Sequence, residues 1–290
     1  MFLRKISLAA AFGLLISVSG SFGQQPTAPL KKPEPVPTPE KKDEKAQSQN
    51  PGTPKTGKEA ANKPVTAEQV AESVILIYGF PGGRERLNQI RKTTIEKGKT
   101  RLTAADGHVD PINYERWIIR ADTLEKERIR LDQEYPNARY SLIRADQKIY
   151  GIYNDTVFTP RDDASKTFEN QTFRGIEALL RYKEDGSTLE LSGHDKVMAV
   201  DFYIVDVSDK AGRKTRYYVS SKTYRVMMLE YDEGGVKYKR RFYNYNYAQG
   251  TLVPYRSVLW ANDKIVEETD ISTITFGQKV DEEMFKGGQG

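Results

Sequence analysis

The chain has 290 residues, with 45 Lys plus Arg against 40 Asp plus Glu, and no cysteine. That length accommodates one large domain or two small ones, and the missing cysteines exclude a disulfide framework, thiolate zinc sites and lipid attachment through cysteine. The basic balance does not point to nucleic acid: residues 1–23 carry +2 and residues 24–65 carry +3, so residues 66–290 are neutral with both signs interspersed.

Met1 to Gly23 reads as a secretory signal peptide. Arg4 and Lys5 form a charged start, Ile6 to Val18 is apolar, and small residues at Ser19, Gly20, Ser21 and Gly23 offer cleavage after Gly20 or Gly23. The apolar run is shorter than the ~20 residues of a membrane-spanning helix. Cleavage is therefore expected, leaving an exported, periplasmic protein without an integral span. Retention as an anchor is the alternative.

Gln24 to Val65 holds nine of the fourteen prolines and no aromatic residue. Such a segment buries too little apolar surface to offset its ordering entropy, so it is expected to be a disordered linker. The folded domain is expected over 66–290.

Thr66-Ala-Glu-Gln69 has the spacing of a capping box, and Val70, Val74, Ile77 and Tyr78 continue it as a helical stripe. Gly79 to Gly83 ends that helix, and Arg84 to Arg91 predicts a second. Strands are predicted over Thr93–Leu102, Asn113–Ala121, Leu124–Leu131, Ala138–Ala145 and Gln147–Tyr153. One helix is predicted from Asp163 to about Lys183. A chain of short strands then runs from Leu189 to Phe276, punctuated by Ser192 to Asp195, Asp209 to Gly212, Ser221-Lys222, Asp232 to Gly235, Ala248 to Gly250 and Asn262-Asp263. Connections this short join antiparallel neighbours. The fold class is α+β, with a large, strongly curved antiparallel sheet (an incomplete β-barrel) and helices over its open side.

Reactive constellations are scarce. Gly82-Gly83-Arg84 joins two helices and lacks a following Gly-Lys-Ser/Thr, so it reads as a helix break and not a phosphate loop. The two histidines, His108 and His194, stand in turn contexts with no nucleophile elbow or ligand spacing near them. Acidic pairs such as Asp162-Asp163 and Glu267-Glu268 read as solvated strand and helix ends. No catalytic residue, metal site or cofactor is expected.

The aromatic residues carry more signal. Tyr217, Tyr218, Tyr224, Tyr231, Tyr238, Phe242, Tyr243, Tyr245, Tyr247, Tyr255 and Trp260 crowd into one stretch. Ordinary sheet packing explains most of them, since Tyr favours strands; lining a cavity is the alternative for a minority. Val236, Tyr238 and Phe242 share one parity and Tyr243, Tyr245 and Tyr247 the other, which fits either a β-bulge or a strand apolar on both faces.

The pieces Leu189-Glu-Leu-Ser-Gly193, Val197 to Val207, Thr215 to Tyr224, and Phe242-Tyr-Asn-Tyr through Leu252-Val-Pro254 resemble outer-membrane lipoprotein-sorting proteins of the LolA-like superfamily. Ile271 to Phe285 is similar to their terminal strand and tail, and Glu68 to Gly79 with Leu87 to Arg91 to their opening. The resemblance covers nearly all of Thr66 to Phe285. It implies a half-barrel whose apolar interior holds the acyl chain of a lipid or lipoprotein, with no enzymatic activity. The candidate ligand-lining residues are aromatic and methionine positions: Trp117, Met198, Phe202, Met228, Tyr238, Phe242 and Trp260. The alternative function is an envelope protein-interaction or sensor module, tethered by the linker to a protein partner.

Overall fold

The computed structural model describes residues 64–286, Met198 excepted; the expected signal peptide and nearly all of the expected linker lie outside the described residues. Two helices lead, α1 (Ala67–Tyr78) and α2 (Gly83–Ile90). Six strands follow: β1 (Thr93–Thr103), β2 (Val109–Ile119), β3 (Arg128–Glu134), β4 (Arg139–Ala145), β5 (Lys148–Tyr153) and β6 (Thr156–Phe158). Then come α3 (Asp162–Phe173), α4 (Ile176–Leu180) and α5 (Tyr182–Asp185). The remaining strands are β7 (Thr188–Val197), β8 (Val200–Ser208), β9 (Lys214–Ser220), β10 (Val226–Glu233), β11 (Val236–Ala248), β12 (Thr251–Ala261) and β13 (Lys264–Phe276), before a 3-10 turn at Glu282–Phe285.

All thirteen strands form one antiparallel sheet in the order β6-β5-β4-β3-β2-β1-β13-β12-β11-β10-β9-β8-β7. Two meanders therefore meet at the β1–β13 pair, and β6 and β7 are its unclosed edges. The result is an open, curved sheet with α+β content, as expected. Its tight hairpins use the residues that tolerate left-handed backbone: Asp146-Gln147, Asn154-Asp155 and Asn262-Asp263 all have positive φ at both positions.

Curvature has a local cause in β1. The β1–β13 register shifts between Lys97 and Gly98. A Cβ at Gly98 would stand 2.3 Å from the Asp270 carbonyl oxygen and 2.8 Å from the Tyr114 hydroxyl. Only glycine lets the strands approach this closely at the bulge.

The capping box forms as the spacing predicts: Thr66 Oγ1 accepts from the Gln69 amide, and Gln69 Oε1 from the Thr66 amide. Helix α1 then buries Ala67, Val70, Ala71, Val74, Ile75 and Tyr78, one face at three- and four-residue spacing. That face meets Val205, Val207, Tyr217, Val219, Leu229 and Leu252 of the second meander. Each large apolar side chain buried here contributes ~1.5–3 kcal/mol. A charge at Val70, which is 0% exposed, would break the packing.

Four sequence expectations need correction. Ser192 to Asp195 is not a turn: β7 continues through it, with a register shift between Leu191 and Gly193, and the reversal comes at Ala199 (φ 63°). Glycine at 193 (φ 139°) absorbs the irregularity, so the ladder to β8 resumes. The helix predicted from Asp163 breaks at Gly175, whose backbone is extended and whose carbonyl accepts a hydrogen bond from Tyr217 (2.8 Å). Leu124 begins with a 3-10 turn because Asp185 accepts the Leu124 amide and Arg144 takes the Leu124, Glu125 and Glu127 carbonyls. Strand β6 was not anticipated. In β11 the register with β12 is unbroken, but Asn244 is left-handed (φ 53°), which brings Phe242 and Tyr245 to the same α1 cluster.

Candidate functional site

The two halves of the sheet are filled differently. Under α1 the concave face of β7–β12 is solid core. Beneath α3, the inner faces of β1–β4 and parts of β11–β13 enclose a hollow of about 560 Å³. Phe168 of α3 (3% exposed) enters from above and packs on Tyr114, Ile129, Leu131 and Leu142. The helix is tied down by Asn170 Nδ2 donating to Glu233 (2.6 Å), by Lys166 to Glu233 (2.8 Å), and by Arg174 to the Lys214 carbonyl (2.8 Å).

The wall is amphiphilic. Ile118, Leu131, Leu142, Ile271 and Ile274 supply its apolar part. Two ion pairs interrupt it. Glu96 accepts from Tyr114 Oη and Arg116 Nη2, each at 2.8 Å, and Glu267 accepts from Arg240 Nη1 at 2.7 Å. Burial, reinforced by the Glu96 charge, pushes the Tyr114 phenol far up. Burial works against the Arg116 cation, but Glu96 and Glu267 together help hold it above its ordinary range.

A second charged group closes the end nearest α4. Arg91 and Glu177 pair there, Arg120 Nη1 lies 3.5 Å from Glu177, and Arg181 pairs with Glu127. Burial works against the Glu177 charge, but Arg91, Arg120 and Arg181 hold its carboxyl below the usual range. At Glu127 burial wins over Arg181 and pushes the carboxyl up to about 7. Arg120 is pulled down by burial that Glu177 only partly offsets.

Of the sequence-predicted lining residues, Phe242 borders the hollow, where it meets the α1 core. Tyr238 stacks on Tyr231 (4.9 Å between centroids), and Tyr231 borders the hollow. Trp117, Phe202, Met228 and Trp260 stand on the opposite face by strand alternation. Trp117 alternates with Arg116 and Ile118 and packs in the Ile143–Phe285 cluster under the C-terminal segment. Phe202 and Met228 form a cluster with Tyr218, whose neighbour Tyr217 is the one that enters the α1 core. Trp260 lies beneath the Arg241 guanidinium, one residue from the inward Arg240. Met198 lies outside the described residues. Glu267, expected to be solvated with Glu268, is instead 6% exposed within β13, where the Arg240 guanidinium compensates its charge. Missed by sequence reasoning were Phe168 and the Arg–Glu pairs. Their signal was charge at alternating, otherwise apolar positions, as in Tyr114-Glu-Arg116-Trp-Ile118.

The histidines are far apart in the sheet order. His108, in the β1–β2 connection, hydrogen-bonds Asp110 (3.1 Å), and His194 packs edge-on against Tyr203 (4.6 Å). Among the described residues, no group of three or more His, Asp or Glu is placed to hold a metal ion.

Solved structures share this architecture. A LolA superfamily protein from Nitrosomonas europaea superposes with a TM-score of 0.55 at 14% identity, over 77% of this chain and 98% of that one. This chain has a LolA-like fold. A DUF1329 family protein from Desulfovibrio piger gives 0.56 at 11% identity, over 76% and 97% of the LolA-like chain and its own, respectively. No protein-family model and no curated protein matches the sequence.

Proposed function

We propose that this LolA-like protein is exported to the periplasm and holds the hydrocarbon chain of a lipid or lipoprotein beneath α3, as a non-enzymatic carrier. The observation that carries the reading is the uneven filling of the half-barrel: solid under α1, hollow under α3. A hollow of about 560 Å³ matches a single ligand and not a solvent channel. Each methylene moved from water to this wall contributes ~0.8 kcal/mol, so a long chain supplies enough driving force for capture. The N-terminal export pattern supports the location. Among the described residues no helix is long and apolar enough to cross a membrane.

Lipid extraction and native mass spectrometry of the protein purified from its own envelope test the reading. A stoichiometric amphiphile is expected. Protein that emerges without one, and that fails to bind a fluorescent acyl probe, ends it.

A second reading, docking of an envelope protein partner, draws on β7, which pairs only with β8 among the described residues. An open edge of ten residues is a template for strand addition. Photocrosslinkers along β7 in cells should capture a discrete partner; adducts no more frequent than at an α2 control site dismiss it.

A further inference from the structure

The charges of the hollow do not cancel evenly. In its middle, Glu96 with Arg116 and Glu267 with Arg240 are matched one to one. At the α4 end three guanidinium groups, Arg91, Arg120 and Arg181, share two carboxylates. Glu177 is engaged closely by Arg91, and Glu127 by Arg181. Arg120 is the cation left over: it donates to Asn88 Oδ1 (3.0 Å) and reaches Glu177 only at 3.5 Å. Its side chain is nonetheless only 11% exposed.

Adding the next layer does not restore the balance. Arg144 spends its donors on three carbonyls, and Asp185 accepts the Leu124 amide, so one further cation and one further anion enter. With Glu127 and Glu177 both ionised the excess is one positive charge, and it grows when Glu127 takes up a proton. Burying an unmatched guanidinium is expensive, and folds keep such groups where something else neutralises them. Arg91, Arg120, Glu127 and Glu177 all border the hollow, so a molecule inside it has direct access to this excess.

Resting on the acyl-chain reading above, we infer that the ligand of this cavity carries an anionic oxygen-acid head group, a carboxylate or a phosphate, that docks against Arg120 beside Arg91. Its hydrocarbon tail runs from there along Ile118, Leu131 and Leu142 toward Phe168. An arginine in a largely buried site suits this task, because planar guanidinium donors match carboxylate and phosphate oxygens and the charge-assisted bond is about twice as strong as a neutral one. A neutral lipid of equal chain length gains the same apolar contacts but leaves Arg120 unmatched.

The experiment uses two matched pairs on the purified full-length protein: cis-parinaric acid against its methyl ester, and lysophosphatidic acid against the monoacylglycerol of the same chain, the second pair read by displacement. The anion of one pair should bind about tenfold tighter than its neutral partner, and that pair identifies the head group as carboxylate or phosphate. In Arg120→Gln the preference should collapse toward unity, and in Arg120→Lys it should return in part. Preferences below about threefold in both pairs overturn the inference while leaving the acyl-chain reading intact. An Arg120→Gln loss shared equally by anion and neutral partner marks a structural role and also overturns it. If none of the four binds, the acyl-chain reading itself fails.

Discussion

Glu127 makes the stability of this domain depend on pH in an unusual direction. Its side chain is buried against Arg181, and burial raises its pKa from 4.5 in the unfolded chain to about 7 in the fold. Folding therefore takes up a proton between those two values, and stability falls as pH rises through the window. A carboxyl that is 6% exposed needs no discount for solvent screening. At ~1.4 kcal/mol per unit, the loss between pH 4.5 and about pH 8 is about 3 kcal/mol. Urea denaturation across that range reads it directly. With a slope of roughly 2–3 kcal/mol per molar for a domain of this size, the midpoint should drop by about 1 M. Glu127→Gln keeps the shape and stays neutral at every pH, so its curve should lack this fall. The gap between the two proteins should change by about 3 kcal/mol over the window. Parallel curves for wild type and Glu127→Gln would refute the reasoning: the Arg181 pair would then hold Glu127 ionised despite its burial.

Three further outcomes follow from the geometry. Ile118→Trp should obstruct part of the hollow at a cost of about 1–3 kcal/mol and weaken acyl-probe binding at least ~tenfold, whereas Trp117→Ala, one residue along and on the other face, should cost about 2–3 kcal/mol in a urea melt with little change in probe affinity. Gly98→Ala should destabilise by about 2 kcal/mol or more in the same melt, because its Cβ would meet the Asp270 carbonyl oxygen at 2.3 Å. Burial opposes ionisation of Asp206, but Arg216, Lys214 and Ser192 hold its carboxyl far below the ordinary 3.8; its contribution is present above that value and lost as pH falls below it, so Asp206→Asn should flatten the acid limb of the stability profile.

The amount of fold legible in the sequence depended on the range of the deciding interaction. The hairpin at Asn262-Asp263 and the cap at Thr66 are set within a few residues, and both were read correctly. The strands β9 to β13 lie between the turn residues read from the sequence, because alternation and turn residues coincide there. The break at Gly175 and the 3-10 turn at Leu124 depend on Tyr217, Arg144 and Asp185, which arrive from elsewhere in the chain. No local window contains that information.

The site was less legible for the same reason. Trp117 and Ile118 are adjacent and both apolar, as are Phe202 and its neighbour Tyr203, so alternation alone does not name the inward one. Segments far away decide it: the C-terminal Phe285 covers Trp117, and Phe168 closes over the other side. By itself the sequence determined the antiparallel sheet, its turns and the amphipathic helices, because each follows from residue spacing and backbone preference. Only the tertiary structure decided which half of that sheet is core and which is hollow. That division depends on what each helix carries down onto the concave face, α1 a continuous apolar stripe that fills it and α3 little more than Phe168.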